Sequence, residues 1–194
     1  MKKVILSSIV IMGIVAVGGT ASAQETLGQE GQIAISSDLQ LSVGQMKLTP
    51  PAGDSPDPST FIVVRPALDY FVIESLSIGG ALGVNYEKAG DTKTTGFEIG
   101  ARVGYAIPID DDTLSFWPKL GLSYHNSSID AGDANVGSNQ IRLDIFAPLT
   151  ISPAEHFFIG IGPGFSMDLS SKTEGEDGMK TTTYGIFTQV GGYF

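Results

Sequence analysis

The chain has 194 residues, 42% of them hydrophobic, with 25 glycines, no cysteine and a formal net charge of −10. That acidity excludes the basic footprint nucleic-acid binding needs, and the missing cysteine excludes disulfides and thiolate chemistry. With only two histidines, there is little from which to build a zinc enzyme or a nucleophile–base pair.

The chain opens Met-Lys-Lys, continues through an almost unbroken apolar run over residues 4–19, and reaches Thr-Ala-Ser-Ala-Gln at 20–24. A basic start, an apolar middle and a small-x-small site at Ala21 and Ala23 predict a secretory signal peptide over residues 1–23. The apolar run is shorter than the roughly 20 residues of a membrane helix. Cleavage after Ala23 leaves 194 − 23 = 171 residues, 24–194, enough for one domain. It also removes Lys2 and Lys3, taking the charge from −10 to −12. No cysteine follows the run, so it is not read as a lipoprotein signal.

Eight stretches alternate with period two, the pattern of strands with one apolar face. They span residues 29–45, 60–71, 76–87, 96–107, 114–127, 139–151, 156–169 and 181–194. In the fourth, Phe97, Ile99, Ala101, Val103 and Tyr105 oppose Glu98, Gly100, Arg102 and Gly104. In the last, Tyr184, Ile186, Val190 and Phe194 oppose Gly185, Phe187, Gln189 and Tyr193. The connections read alternately long and short. The long ones are a proline-rich segment at 46–59, a polar segment at 88–95, SIDAGDANVGS at 128–138 and an acidic segment at 170–180.

This predicts an all-β fold: an eight-stranded antiparallel up-and-down transmembrane β-barrel. Even strand number, strands of about 12 residues and loops sorted to the two ends are how membrane barrels are built. The less apolar face is mostly Gly, Ser and Ala, which suits a narrow lumen better than a solvated surface. Its long residues carry both signs: Asp38, Arg65, Asp69, Glu98, Arg102, Lys119, Arg142, Asp144 and Asp168. Inside a barrel they must pair, and an ion network is expected. Aromatic residues gather near both ends, as in interfacial girdles: Tyr70, Phe71, Tyr105, Phe116, Phe157 and Phe194 at the short-turn end, and Phe61, Tyr86, Phe97, Tyr124 and Tyr184 at the other.

The signal peptide, eight alternating strands, sorted loops and terminal pattern Tyr184-x-Ile186-x-x-x-Val190-x-x-x-Phe194 resemble the small outer-membrane barrels of the OmpA transmembrane domain, Opa and Ail type. The resemblance implies a monomer in the bacterial outer membrane, in contact with lipid and lipopolysaccharide, delivered by periplasmic chaperones and the barrel-assembly machinery. It implies that the machinery reads Tyr184, Ile186, Val190 and Phe194. It also implies a structural or surface-interaction role without catalysis or cofactor. The peptidoglycan-binding domain of longer OmpA-type proteins is not expected here.

Two alternatives remain. His125 and Ser127 match the His-x-Ser of outer-membrane lipid A deacylases, an esterase arrangement in which His takes the Ser proton. No suitably spaced glutamate accompanies them. A narrow porin-like channel is the other, opposed by how nearly side chains fill an eight-stranded lumen. No metal site is read. Asp130, Asp133 and Asn135 do not have calcium-loop spacing.

Overall fold

In the computed structural model the described residues are 26–38, 42–46, 59–110, 113–132 and 134–194. The signal-peptide residues, including Ala21 and Ala23, lie outside them, as do the side chains of Asp38 and Phe61. Among the described residues no helix is long and apolar enough to cross a membrane.

Alternating side chains force each strand to show one face inward and one outward, and here the strands close on themselves. β1 comprises Ile33–Asp38 and Ser42–Met46, and β2 comprises Ser59–Val64 and Pro66–Ile73. β3 is Leu76–Ala89 and β4 is Thr92–Tyr105. β5 comprises Leu114–Phe116 and Lys119–Ala131, and β6 comprises Ala134–Phe146 and Leu149–Ala154. β7 is Phe157–Thr173 and β8 is Thr182–Tyr193. Each strand pairs antiparallel with the next, and β8 returns to β1 with Ala34 opposite Tyr193 and Asp38 opposite Gln189. The ring seals beyond the ladder, where Ile33 and Phe194 exchange two main-chain hydrogen bonds of 2.8 and 2.9 Å. Every strand thus has two neighbours, and the closing β1–β8 seam is laddered over Ala34–Asp38 and Gln189–Tyr193; closure of this kind is what hydrocarbon requires of a spanning sheet.

The apolar faces point out. Ile35, Leu68, Ile78, Leu82, Ile99, Leu122, Ile141, Ile145 and Ile161 are all exposed. They come from seven of the eight strands, and Ile186 adds the eighth. A greasy belt encircling the molecule is a surface for lipid rather than water. Inside, large side chains face glycines on the adjoining strand. A Cβ on Gly104 would meet Trp117, on Gly160 Gln189, on Gly164 Phe187, and on Gly191 Phe158. Small against large across each seam is how a narrow lumen is filled.

At the short-turn end the lumen is floored. Leu27, Ala34, Phe71, Ala106, Trp117, Phe158 and Tyr193 form one buried cluster. Trp117 lies 5.5 Å from Phe71 and 5.8 Å from Phe158, ring centre to ring centre. The segment before β1 is part of this floor. Gly28 and Gly31 take positive φ values of 112° and 85° that turn the chain beneath the barrel. Ser75 N donates to Gly28 O, and Gly31 N to Phe71 O. Gln32, buried, accepts from Gly28 N through its side-chain oxygen at 2.8 Å.

Three expectations are corrected. β1 begins at Ile33, because residues 29–32 are spent on that turn. Phe71 belongs to the floor and not to the outer girdle, since it sits one residue out of phase with the exposed Tyr70. The long polar connections at 88–95 and 128–138 are largely strand: β3 and β4 stay paired out to Ala89 and Thr92, and β5 and β6 out to Ala131 and Ala134. The ladder is a main-chain structure, and Thr, Ser and Asn on both faces do not stop it once the strands stand clear of lipid.

Candidate functional site

The strand period that turns Ile99 outward turns Glu98 and Arg102 inward, and the same holds along β2, β5, β6 and β7. Of the nine charged residues expected in the lumen, eight have described side chains: Asp69, Glu98, Asp144 and Asp168 against Arg65, Arg102, Lys119 and Arg142. Among the described side chains the charges balance, four against four. They form two groups.

The group nearer the floor is the more deeply buried. Asp69 is fully buried, and Arg102 grips it with Nε to Oδ1 at 2.8 Å and Nη2 to Oδ2. Arg102 Nη2 also donates to Ser36 Oγ at 3.3 Å. Lys119 lies on the floor itself, its Nζ 3.8 Å from the Trp117 ring centre and 2.6 Å from Gln189 Oε1. Gln189 passes the chain on to Thr150 Oγ1 at 3.3 Å, and Trp117 Nε1 donates to Ser77 Oγ at 3.3 Å. A buried guanidinium and carboxylate repay their desolvation only when paired in this way.

The group nearer the long-hairpin end keeps some contact with solvent. Arg65 Nη2 pairs with Glu98 Oε1 and lies 3.7 Å from Asp144 Oδ2. Asp144 accepts from Ser123 Oγ at 2.7 Å and from Ser166 Oγ at 2.6 Å. Arg142 Nε donates to Asp168 Oδ1 at 2.8 Å, and Asp168 Oδ2 accepts from Thr181 N. His125 stands opposite Glu98 across the β4–β5 seam, Nδ1 to Oε2 at 3.6 Å. Between the two groups lies a cavity of about 50 Å³, lined among others by Arg65, Arg102, Lys119, Ser123, Asp144 and Phe187. It has room for a few waters.

The structure does not bring His125 and Ser127 together. Ser127 Oγ bonds Ser138 Oγ at 2.7 Å. The serine at His125 is Ser123, with Oγ 3.0 Å from Nε2. Sequence reasoning missed Ser123 because it lies as far before His125 as Ser127 lies after it, and spacing alone does not choose. Ser123 gives its one proton to Asp144, so His125 does not act on it as a base. All three side chains belong to the lumen face, away from lipid.

Tyr184 and Ile186 are strongly exposed on the outer face of β8, and Val190 lies half-buried beside them in phase. Phe194 stacks on His156 at a centroid distance of 5.9 Å, and His156 Nδ1 lies 2.9 Å from Tyr193 O.

No protein-family model and no curated protein matches the sequence. Solved structures do. The N-terminal β-barrel domain of Pseudomonas aeruginosa OprF superposes with a TM-score of 0.54 at 14% identity, over 86% of this chain and 99% of that one. Neisserial surface protein A (NspA) gives 0.50 at 16%, over 84% and 97%. Ail, the attachment invasion locus protein of Yersinia pestis, gives 0.48 at 14%, over 85% and 99%. The first two share with this chain the fold of a small eight-stranded outer-membrane barrel.

Proposed function

We propose that the protein is a bacterial outer-membrane barrel with a structural or surface-interaction role and no catalytic activity. The observation that carries this reading is a closed eight-strand ring, greasy outside and lined inside by paired charges of both signs, with its lumen floored by Trp117, Phe71 and Phe158. Such a body is suited to sit in lipid and to present its long-hairpin end. It leaves little room for transport. On this reading residues 1–23 are removed on export, the short-turn end faces the periplasm, and the long hairpins stand at the cell surface among lipopolysaccharide. The barrel works as a monomer.

Tyr184, Ile186, Val190 and Phe194 are the residues we assign to recognition by the assembly machinery. Their common outer face supports it: Tyr184, Ile186 and Phe194 are exposed there, and the half-buried Val190 follows in phase. Recognition precedes closure on this reading, because in the closed ring the main chain of Phe194 is committed to Ile33.

Heat-dependent gel mobility of detergent-folded protein tests the reading. A folded barrel runs compact until boiled and needs detergent to stay in solution. A monodisperse, detergent-free monomer would reject it. Intact acyl chains on lipid A from expressing cells, by mass spectrometry, are expected if the protein has no esterase activity.

A further inference from the structure

Glu98, His125 and Asp144 lie on three neighbouring strands, β4, β5 and β6, and share no spacing a sequence could reveal. One ligand atom from each falls within 4.8 Å of the others. The hydrogen bonds around them fix the roles of the atoms. The Ser123 hydroxyl has one proton, and it goes to Asp144 Oδ2 at 2.7 Å. The 3.0 Å contact between Ser123 Oγ and His125 Nε2 therefore needs a hydrogen on Nε2. A neutral ring so arranged carries its lone pair on Nδ1, and Nδ1 faces Glu98 Oε2. Two acceptors point at one another.

That arrangement calls for positive charge between them. A proton on Nδ1 is poorly placed to provide it, because 3.6 Å exceeds the 2.7–3.2 Å of an N–H···O hydrogen bond. The same 3.6 Å is close to the separation of two ligands each about 2.0–2.2 Å from a common ion. The surrounding charge agrees. Glu98, Asp144 and Asp168 face two guanidinium groups, Arg65 and Arg142, so among the described side chains this half of the lumen carries one more carboxylate than cation. Arg65 occupies Glu98 Oε1 and leaves Oε2 turned to the histidine. Ser123 and Ser166 hold the Asp144 carboxylate in place, the support a ligating carboxylate needs. Partial exposure of His125 (18%) and Asp144 (19%) keeps a way in from the lumen.

We propose that Glu98 Oε2, His125 Nδ1 and an oxygen of Asp144 form a binding site for a divalent first-row cation, Zn²⁺ foremost. A mixed imidazole and carboxylate set selects such ions over Mg²⁺ or Ca²⁺. The ion ties β4, β5 and β6 together across the inside of the barrel.

The test uses untagged protein folded in detergent and dialysed against Zn²⁺ at neutral pH, with metal counted by mass spectrometry and affinity by calorimetry. About one Zn²⁺ per barrel is expected, and Co²⁺ in its place gives a visible absorption band of low coordination number. His125→Ala and Glu98→Gln, each shown folded by heat-dependent mobility, weaken binding at least tenfold. Ser127→Ala leaves it unchanged. Failure to bind Zn²⁺ overturns the proposal, as does binding that His125→Ala and Glu98→Gln leave intact. Nitrogen NMR showing His125 doubly protonated near pH 7.5 with no zinc taken up overturns it in favour of the imidazolium.

Discussion

The ammonium of Lys119 rests 3.8 Å from the centre of the Trp117 ring, with Gln189 Oε1 on its other side at 2.6 Å. A cation over the face of an indole, cut off from water, is strongly held. Lys119 thus caps the buried aromatic cluster of which Trp117 is a member.

The first prediction follows from that cap. Wild-type protein in a planar bilayer stays at baseline conductance. Trp117→Ala removes the largest fully buried side chain among the described residues, and a loss of that kind costs about 3–5 kcal/mol. Urea unfolding in detergent measures the cost. Unitary current steps should appear in the same variant. Steady conductance from the wild type would contradict a sealed floor.

A second prediction concerns Asp69 and Arg102. Asp69→Ala takes from the buried Arg102 guanidinium the carboxylate that grips it at two points, and removing one partner of a buried pair costs about 3–5 kcal/mol. The double variant Asp69→Ala, Arg102→Met, which removes both charges, should recover most of the loss. If it is no more stable than Asp69→Ala, the pairing is not what matters there.

The outer belt makes a third. Leu122 is exposed on the outward face of β5. Lysine there should destabilise the lipid-embedded barrel by about 2–4 kcal/mol, whereas Thr95→Lys, near the hairpin end, should cost about 0–1 kcal/mol. In a soluble barrel both would be harmless. Reversible unfolding in vesicles separates the cases.

The fourth sets assembly apart from stability. Phe194→Ser removes a ring stacked on His156 but keeps the main-chain bonds to Ile33. Refolding into detergent should survive, while the amount reaching the outer membrane of expressing cells falls severalfold. Equal loss in both settings would make Phe194 a structural residue only.

Much of the fold was legible because period two is a strong signal, and along β4 no register shift interrupts it: Ile99 outward means Glu98 inward. The floor was not legible. Phe71 and Tyr70 are adjacent aromatics at a strand end, and only the register decides which is lumen and which is girdle. Leu27 precedes any alternation and Gln32 reads as part of the first strand, and what places both is the pair of glycine turns. At the site, sequence gave the histidine its wrong serine, since Ser123 and Ser127 flank it symmetrically. The choice is made by Asp144, which arrives from another strand. The hairpin ends were misjudged for a related reason: polar composition reports contact with water and is silent on main-chain pairing.

β7 runs 17 residues from Phe157 to Thr173. At about 3.3 Å per residue it is ~56 Å long, or ~43 Å upright at a tilt near 40°. The apolar band of a barrel wall is only about 25 Å tall, so ~18 Å of ladder clears the membrane, and the tight turns at the other end put it on one side. Along the described β3–β4 and β5–β6 hairpins, what meets a partner there is a preorganised rampart of hydrogen-bonded strand. Its main chain is fixed before any encounter, and a partner is spared the roughly 1–2 kcal/mol per residue that ordering a loose loop would cost. Recognition by such a surface would turn on shape and side-chain identity along the rim, and a single-residue change in those hairpins would alter affinity without loosening the wall beneath.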